Sequence, residues 1–253
     1  MKFSFIYSGR FGNNIIQYIA AELLAYKYNG IVTTQNEGIK IDDNRWVELM
    51  EKDNIILEDN NYLLDGYFQR GDIFLKYKDC ILSLINSNFP LYNNLPFKNI
   101  FTNIDNIDQN TVVVHLRLDD FNFQDGKSNV VIPSFYINEI KKSNKSNVLI
   151  VVDKLRYNQE KKYVGLIIKE CKDLSIKIQQ GSLLQDWNTI RCSNYVISSN
   201  SSFSWIASFF GSLLNKNSTF IFPHTGFYQS QLFNINTDNF YSYNVDTVNF
   251  MSI

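Results

Sequence analysis

From residue 111 to residue 223 the sequence repeats one pattern. A short run of β-branched and apolar residues is followed by a polar turn, and then by a longer stretch with apolar residues at helical spacing. "TVVVHLRL" (111–118) predicts a strand. Pro133 opens the helix "PSFYINEIKKS", at the first helical position, where a missing N–H costs no intrahelical bond. "NVLIVVD" and "SIKIQQ" predict strands on either side of the helix "NQEKKYVGLIIKECKD". The helix "SLLQDWNTIRCS", capped by Ser182, leads to the strand "NYVISS", the helix "SSFSWIASFFGSLL" and the strand "STFIFP". Strict alternation of this kind leaves few folds open. It predicts a parallel sheet with helices over both faces.

The first half is less regular. "KFSFIYS" predicts a strand, "GRFGNN" a turn, "IIQYIAAELLAYKY" a helix and "GIVTT" a second strand. Residues 35–61 read as polar and irregular. "YLLDGYFQRGD" brings a short strand and a turn, and residues 73–84 read as one helix. An Asn-rich stretch with turn signals follows, and its later part serves as a linker. The expectation is an α/β chain of two facing Rossmann-like domains with parallel sheets, residues 1–105 and 106–253. Ligands would bind beyond the carboxyl ends of the strands. The tail from Phe227 shows no pattern that places it.

Bulk properties exclude several classes. With 253 residues, 45% of them hydrophobic, the chain can bury one large core or two small ones. Lys and Arg number 24 against 25 Asp and Glu, so any basic site must be local, and a nucleic-acid partner is not expected. Cys80, Cys171 and Cys192 form no CxxC pair and have no zinc-site spacing, which fits a reducing compartment. "MKFSFIYSG" is too short for a signal-peptide core. The longest nearly apolar run, "FSWIASFFGSLL", falls well short of the ~20 residues that span a bilayer. A cytoplasmic protein is expected, with peripheral association the one membrane role left open.

Three stretches could carry chemistry. In "VVVHLRLDDF", His115, Arg117 and Asp120 fall at or just past the end of a strand, and alternation puts His115 and Arg117 on one face. The guanidinium fork suits phosphate oxygens; an Arg–Asp pair closing the strand end is the structural alternative. In "SSNSSFSW" a strand ends in hydroxyls and a helix begins, so unpaired N–H groups and a partial positive charge could hold a phosphate. An ordinary N-cap at Asn200 or Ser201 is the alternative. In "SGRFGNNIIQY", Gly9 and Gly12 allow a tight turn and Asn13 lies near the helix start. Without GxGxxG, a simple strand-to-helix turn fits equally well.

Taken in order with "DGYFQ", these stretches resemble the GDP-fucose-dependent fucosyltransferases of the α-1,2 type (GT11-like). They share motifs with the α-1,6 and protein O-fucosyltransferases. "GRFGNNIIQYIAA" is similar to that superfamily's first glycine loop, "HLRLDDF" matches H-x-R-x-x-D, and "DWNTIRCSNYVISSNSSFSW" resembles its third motif. The resemblance implies a GT-B-like fold with an acceptor side in the N-terminal domain and nucleotide-sugar binding in the C-terminal one. It implies an inverting glycosyltransferase without metal or cofactor, moving L-fucose from GDP-fucose to a glycan hydroxyl, the 2-OH of a galactose-like sugar.

By the same resemblance Arg117 grips the donor's β-phosphate, Ser201, Ser202 and Phe203 contact the phosphates, and Asp186 contacts guanine. His115 lies near the nucleoside, Gly12 belongs to the donor site, and Asn13 faces the reacting centre. The proton acceptor would be Asp120, Asp119, Asp72 or Asp125, among which the sequence does not choose, and the Asp120 carboxylate could instead orient Arg117. Leu118 stands where the α-1,2 group usually has a second Arg, and Asn14 where Gln is usual. Another nucleotide-deoxysugar donor, or an inactive nucleotide- or glycan-binding module, are the competing readings.

Overall fold

The computed structural model describes residues 1–87, 100–101, 107–118, 130–225 and 237–248. They form two compact units, residues 1–87 and the described residues from 100 onward. Each holds its own parallel sheet, as expected of an α/β chain. The expected boundary near 105 shifts, because Ile100 and Phe101 pack in the second unit. The Ile100 carbonyl accepts from Trp187 Nε1 at 2.8 Å, and Phe101 stacks on Phe210.

The first unit carries strands β1 (Lys2–Phe5), β2 (Ile31–Val32), β3 (Ile39–Ile41) and β4 (Asn61–Leu64) in the order β2-β1-β4-β3. Helix α1 (Phe11–Lys27) connects β1 to β2 and buries Ile15, Ile16, Ile19, Leu23 and Leu24, the positions its apolar spacing predicts. Residues 35–61 are not irregular. They contain β3 and helix α2 (Asp43–Glu51), capped by the Asp42 carboxylate, which accepts from the Arg45 N–H. The helix expected at 73–84 is two, α3 (Gly71–Lys76) and α4 (Lys78–Asn86). They meet at Tyr77, whose hydroxyl donates to the Met50 carbonyl at 3.2 Å.

The second unit has β5 (Thr111–Leu116), β6 (Val130–Val131), α5 (Pro133–Lys142), β7 (Asn147–Val152), α6 (Asn158–Glu170), β8 (Ser175–Gln179), α7 (Leu183–Cys192), β9 (Tyr195–Ile197), α8 (Ser202–Leu214) and β10 (Thr219–His224). The sequence pattern locates each helix and main strand of this series. The tail it left unplaced supplies β11 (Phe240–Asn244), which pairs parallel with β10, and β12 (Thr247–Val248), antiparallel to β6.

The six-stranded sheet runs β11-β10-β9-β5-β7-β8, all parallel. Numbered along the chain from β5 and omitting β6, this is the order 3-2-1-4-5-6 of doubly wound dinucleotide-binding sheets. The chain builds outward from β5 through β7 to β8, then returns by α7 to β9 on the other side of β5. The reversal opens a crevice between the carboxyl ends of β5 and β9, where such sheets bind ligands. Val112, Val113 and Val114 of β5, together with Val196 and Ile197 of β9, are essentially inaccessible. The rims of the crevice therefore rest on tightly packed strands.

Candidate functional site

The strand expected over 111–118 ends at Leu116, so Arg117 lies just past the ladder, half-buried, while Leu118 turns into the core. His115 is the last but one residue of β5, and its Nδ1 lies 2.8 Å from the Ser199 Oγ at the end of β9. One hydrogen bond thus spans the reversal point. Burial, aided by the positive charge of Arg117, lowers the His115 pKa to about 3. The imidazole is therefore neutral near neutral pH. It serves as a hydrogen-bonding clip and not as a cation.

The serine-rich turn divides its work. The Ser198 and Ser204 hydroxyls bond to each other, and Asn200 Nδ2 donates to Thr225 Oγ1 at 2.7 Å beyond β10. The Ser198 N–H donates to the Ile221 carbonyl of β10 at 2.8 Å. These contacts fix the turn, to which Ser201 adds its backbone, its N–H donating to the Ser199 carbonyl at 2.8 Å and its carbonyl accepting from the Ser204 hydroxyl at 3.3 Å; among the described residues the Ser201 and Ser202 hydroxyls themselves have no partner. Ser201 occupies the N-cap of α8 in extended conformation, yet its side chain makes no capping bond. The contrast with α7 is direct, because there Ser182 accepts from the Gln185 N–H. The Ser201 carbonyl accepts from Trp205, so the N–H groups of the first turn of α8 precede the helical ladder. An uncapped helix start with two hydroxyls beside it is arranged to receive an anion.

Phe203 follows Ser202 in the first turn of α8. Its ring lies between His115 (5.7 Å between centroids) and Trp187 (5.7 Å), so the side chain packs on the protein. Its backbone N–H is what it can offer a phosphate. Asp186 stands apart, in the first turn of α7 near the end of β8, two strands from β5. Its Oδ1 accepts from Gln179 Nε2 at 2.7 Å. Burial raises its pKa, and the bonds from Gln179 and the Gly181 N–H work against that rise. The carboxylate is thus fixed, partly desolvated, and on the same edge of the sheet as His115 and Ser199.

Gly12 and Asn13 belong to the first unit. Gly9 makes the turn into α1 at φ +77°, a conformation that favours glycine, while Gly12 is buried inside the first turn of α1. Asn13 Oδ1 accepts from Gln69 Nε2 at 2.9 Å, so "GRFGNN" and "GYFQ" meet across the ends of neighbouring strands β1 and β4. Gln17 reinforces this junction, accepting from the Ser8 N–H and donating to the Gly66 carbonyl.

Of the proton acceptors expected, Asp119, Asp120 and Asp125 lie outside the described residues. Asp72 is a poor base. Both its oxygens accept from Arg70, at 2.9 and 2.6 Å, and that pairing holds its pKa below the usual carboxylate range. Among the described residues no group of three or more His, Cys, Asp or Glu is arranged to hold a metal, and no helix is long and apolar enough to cross a membrane.

Sequence reasoning missed two residues that set these sites. Ser199 holds His115, and Asp43 holds the segment after β4, accepting from the Tyr67 N–H at 3.1 Å and the Phe68 N–H at 2.5 Å. The run of serines signalled the first without saying which serine it was. Nothing in the sequence signals Asp43, whose partners are more than twenty residues away.

No family model matches the sequence, and no curated protein matches it either. Among solved structures, a mutant of Arabidopsis thaliana FUT1 in complex with GDP aligns with a TM-score of 0.43 at 10% identity, covering 83% of this chain and 68% of that one.

Proposed function

We propose that the protein is an inverting glycosyltransferase that moves L-fucose from GDP-fucose to a glycan hydroxyl, with the 2-OH of a galactose-like sugar as acceptor. The observation that carries this reading is the His115–Ser199 bond across the β5/β9 crevice, with Arg117 on one rim and the uncapped start of α8 on the other. The order of the four motifs supports the donor assignment.

Departure of a sugar from a nucleoside diphosphate leaves extra negative charge on the phosphates. Arg117, the Ser201 and Ser202 hydroxyls and the first N–H groups of α8 would stabilise it. They are preorganised, because the neighbouring serines and Asn200 are already bonded. Such donors act where charge develops, so no metal is invoked. His115, neutral at working pH, keeps the two rims in register. Asp186 offers a carboxylate to the N–H edge of guanine, and Asn13 belongs to the acceptor-side unit. The proton from the acceptor hydroxyl goes to Asp120 in this reading.

The test is calorimetric binding of GDP, followed by assays of GDP-fucose hydrolysis and of transfer to galactose-ended oligosaccharides in EDTA. Binding, slow hydrolysis and EDTA-resistant transfer are expected. GDP binding with neither hydrolysis nor transfer would favour a nucleotide-binding module. Loss of activity in EDTA would remove the metal-free mechanism. Replacing Asp186 with Ala should erase the preference for GDP over UDP, and an unchanged preference would remove its guanine role.

A further inference from the structure

We infer that Tyr67 is the floor of a sugar-binding subsite on the first unit, on which the C–H face of a hexopyranose packs while the Asn13 amide donates to one of its hydroxyls. Calling that sugar the acceptor rests on the glycosyl-transfer reading; the contact itself does not.

The argument starts from two adjacent aromatic residues with opposite fates. Phe68 is 1% exposed and packs against Trp46 of α2, with ring centroids 5.6 Å apart. Tyr67 is 48% exposed. The division is imposed by the backbone. Asp43 accepts from both the Tyr67 and Phe68 N–H groups, and Phe68 takes φ +53°, rare for a non-glycine residue. Gly66 is needed for the same reason: a Cβ there would stand 2.4 Å from Asp43 Oδ2. The loop is therefore clamped from α2 at two points, the Asp43 carboxylate and the Trp46 ring. It presents an amphipathic ring to solvent on a fixed backbone, so little backbone freedom remains to be lost on binding.

What surrounds the ring is chemically specific. A Cβ added at Gly9 would lie 3.3 Å from Tyr67 Cε1 and 2.4 Å from Asn13 Nδ2, so the ring edge and the amide flank the same glycine. Asn13 Oδ1 is committed to Gln69, and among the described residues Nδ2 has no acceptor. Tyr7, 42% exposed, follows β1 on the same edge of the sheet. A half-exposed aromatic ring beside an oriented amide donor, without a charged group in the pair, suits a neutral polyhydroxylated ring. Such a ring has apolar C–H faces and hydroxyls at its rim.

The test is saturation-transfer NMR and titration of the whole chain with lactose, maltose and chitobiose, using wild type, Tyr67→Ala and Tyr67→Phe. Circular dichroism of each variant checks folding, which a solvent-facing side chain should not disturb. At least one sugar should show saturation of its ring C–H protons by wild type. Its affinity should fall about tenfold in Tyr67→Ala and persist in Tyr67→Phe. No contact with any of the three sugars, unchanged affinity in Tyr67→Ala, or equal loss in Tyr67→Phe would each overturn the inference. GDP-fucose hydrolysis by wild type is measured alongside. Its absence removes the fucosyl-transfer reading and leaves the sugar contact to be judged by NMR alone.

Discussion

The carboxyl edges of the two sheets are built from different chemistry on the same architectural plan. In each unit, loops follow two neighbouring parallel strands and a helix starts nearby. The second unit fills that place with hydroxyls, a guanidinium and the backbone N–H groups of a helix start, which favour negative charge. The first fills it with amides and a half-exposed phenol ring, on a loop pinned by a carboxylate that is already occupied. The difference shows that a doubly wound or related parallel sheet fixes where a site lies, while the loops decide what it recognises.

Removing the Arg117 guanidinium should break the contrast most severely. Arg117→Ala should lower kcat by roughly 10²–10³, the cost typical of deleting one donor to developing charge, with a much smaller loss of GDP affinity. Steady-state kinetics beside calorimetry measures both, and near-normal turnover would remove Arg117 from the chemistry.

The clip comes next. His115 starts from an ordinary value of 6.5 and is lowered to about 3 in the folded chain, so the unfolded chain binds the proton first as pH falls. Stability should therefore drop below pH 6.5 and continue to fall toward pH 3. At pH 5 the contribution of this group is about 2 kcal/mol. Urea unfolding at a series of pH values would show a shallower decline in His115→Gln than in wild type. Equal slopes would mean that the imidazole is not held neutral.

The smallest effect separates the needs of folding from those of binding. Ser202→Asp puts a carboxylate at the positive end of α8, which should add about 0.3–1 kcal/mol of stability. The same charge should repel a diphosphate and weaken GDP by tenfold or more. Thermal melts and calorimetry should move in opposite directions; a variant that binds GDP normally would argue that no phosphate sits there.

The second unit was legible in the sequence because its central strands β5, β7, β9 and β10 are largely buried. "TVVVH" and "NVLIVV" read as continuous apolar runs, and the turns after them carry the unusual polar residues. The first unit hid its smaller elements. α2 buries only Trp46, Leu49 and Met50 among charged residues, and β3 buries only Ile41, so neither pattern rises above a polar loop. β11 is an edge strand whose single buried residue is Phe240. A mostly exposed strand leaves little hydrophobic signature. Of the site residues, those within a motif were visible, whereas Ser199 and Asp43 act through partners distant in sequence, which no local spacing reveals.

The pairing of β12 with β6 bears on how the molecule is made. Every described element of the first unit lies within residues 1–87, so it can fold while synthesis continues. In the second, β6 finds its partner more than a hundred residues later, and the edge of the sheet waits for β11. Closing such long loops comes late and slowly. The ribosome must therefore release the segment around residue 248 before the second unit can be completed, leaving its half-built sheet edge as the stage most exposed to aggregation.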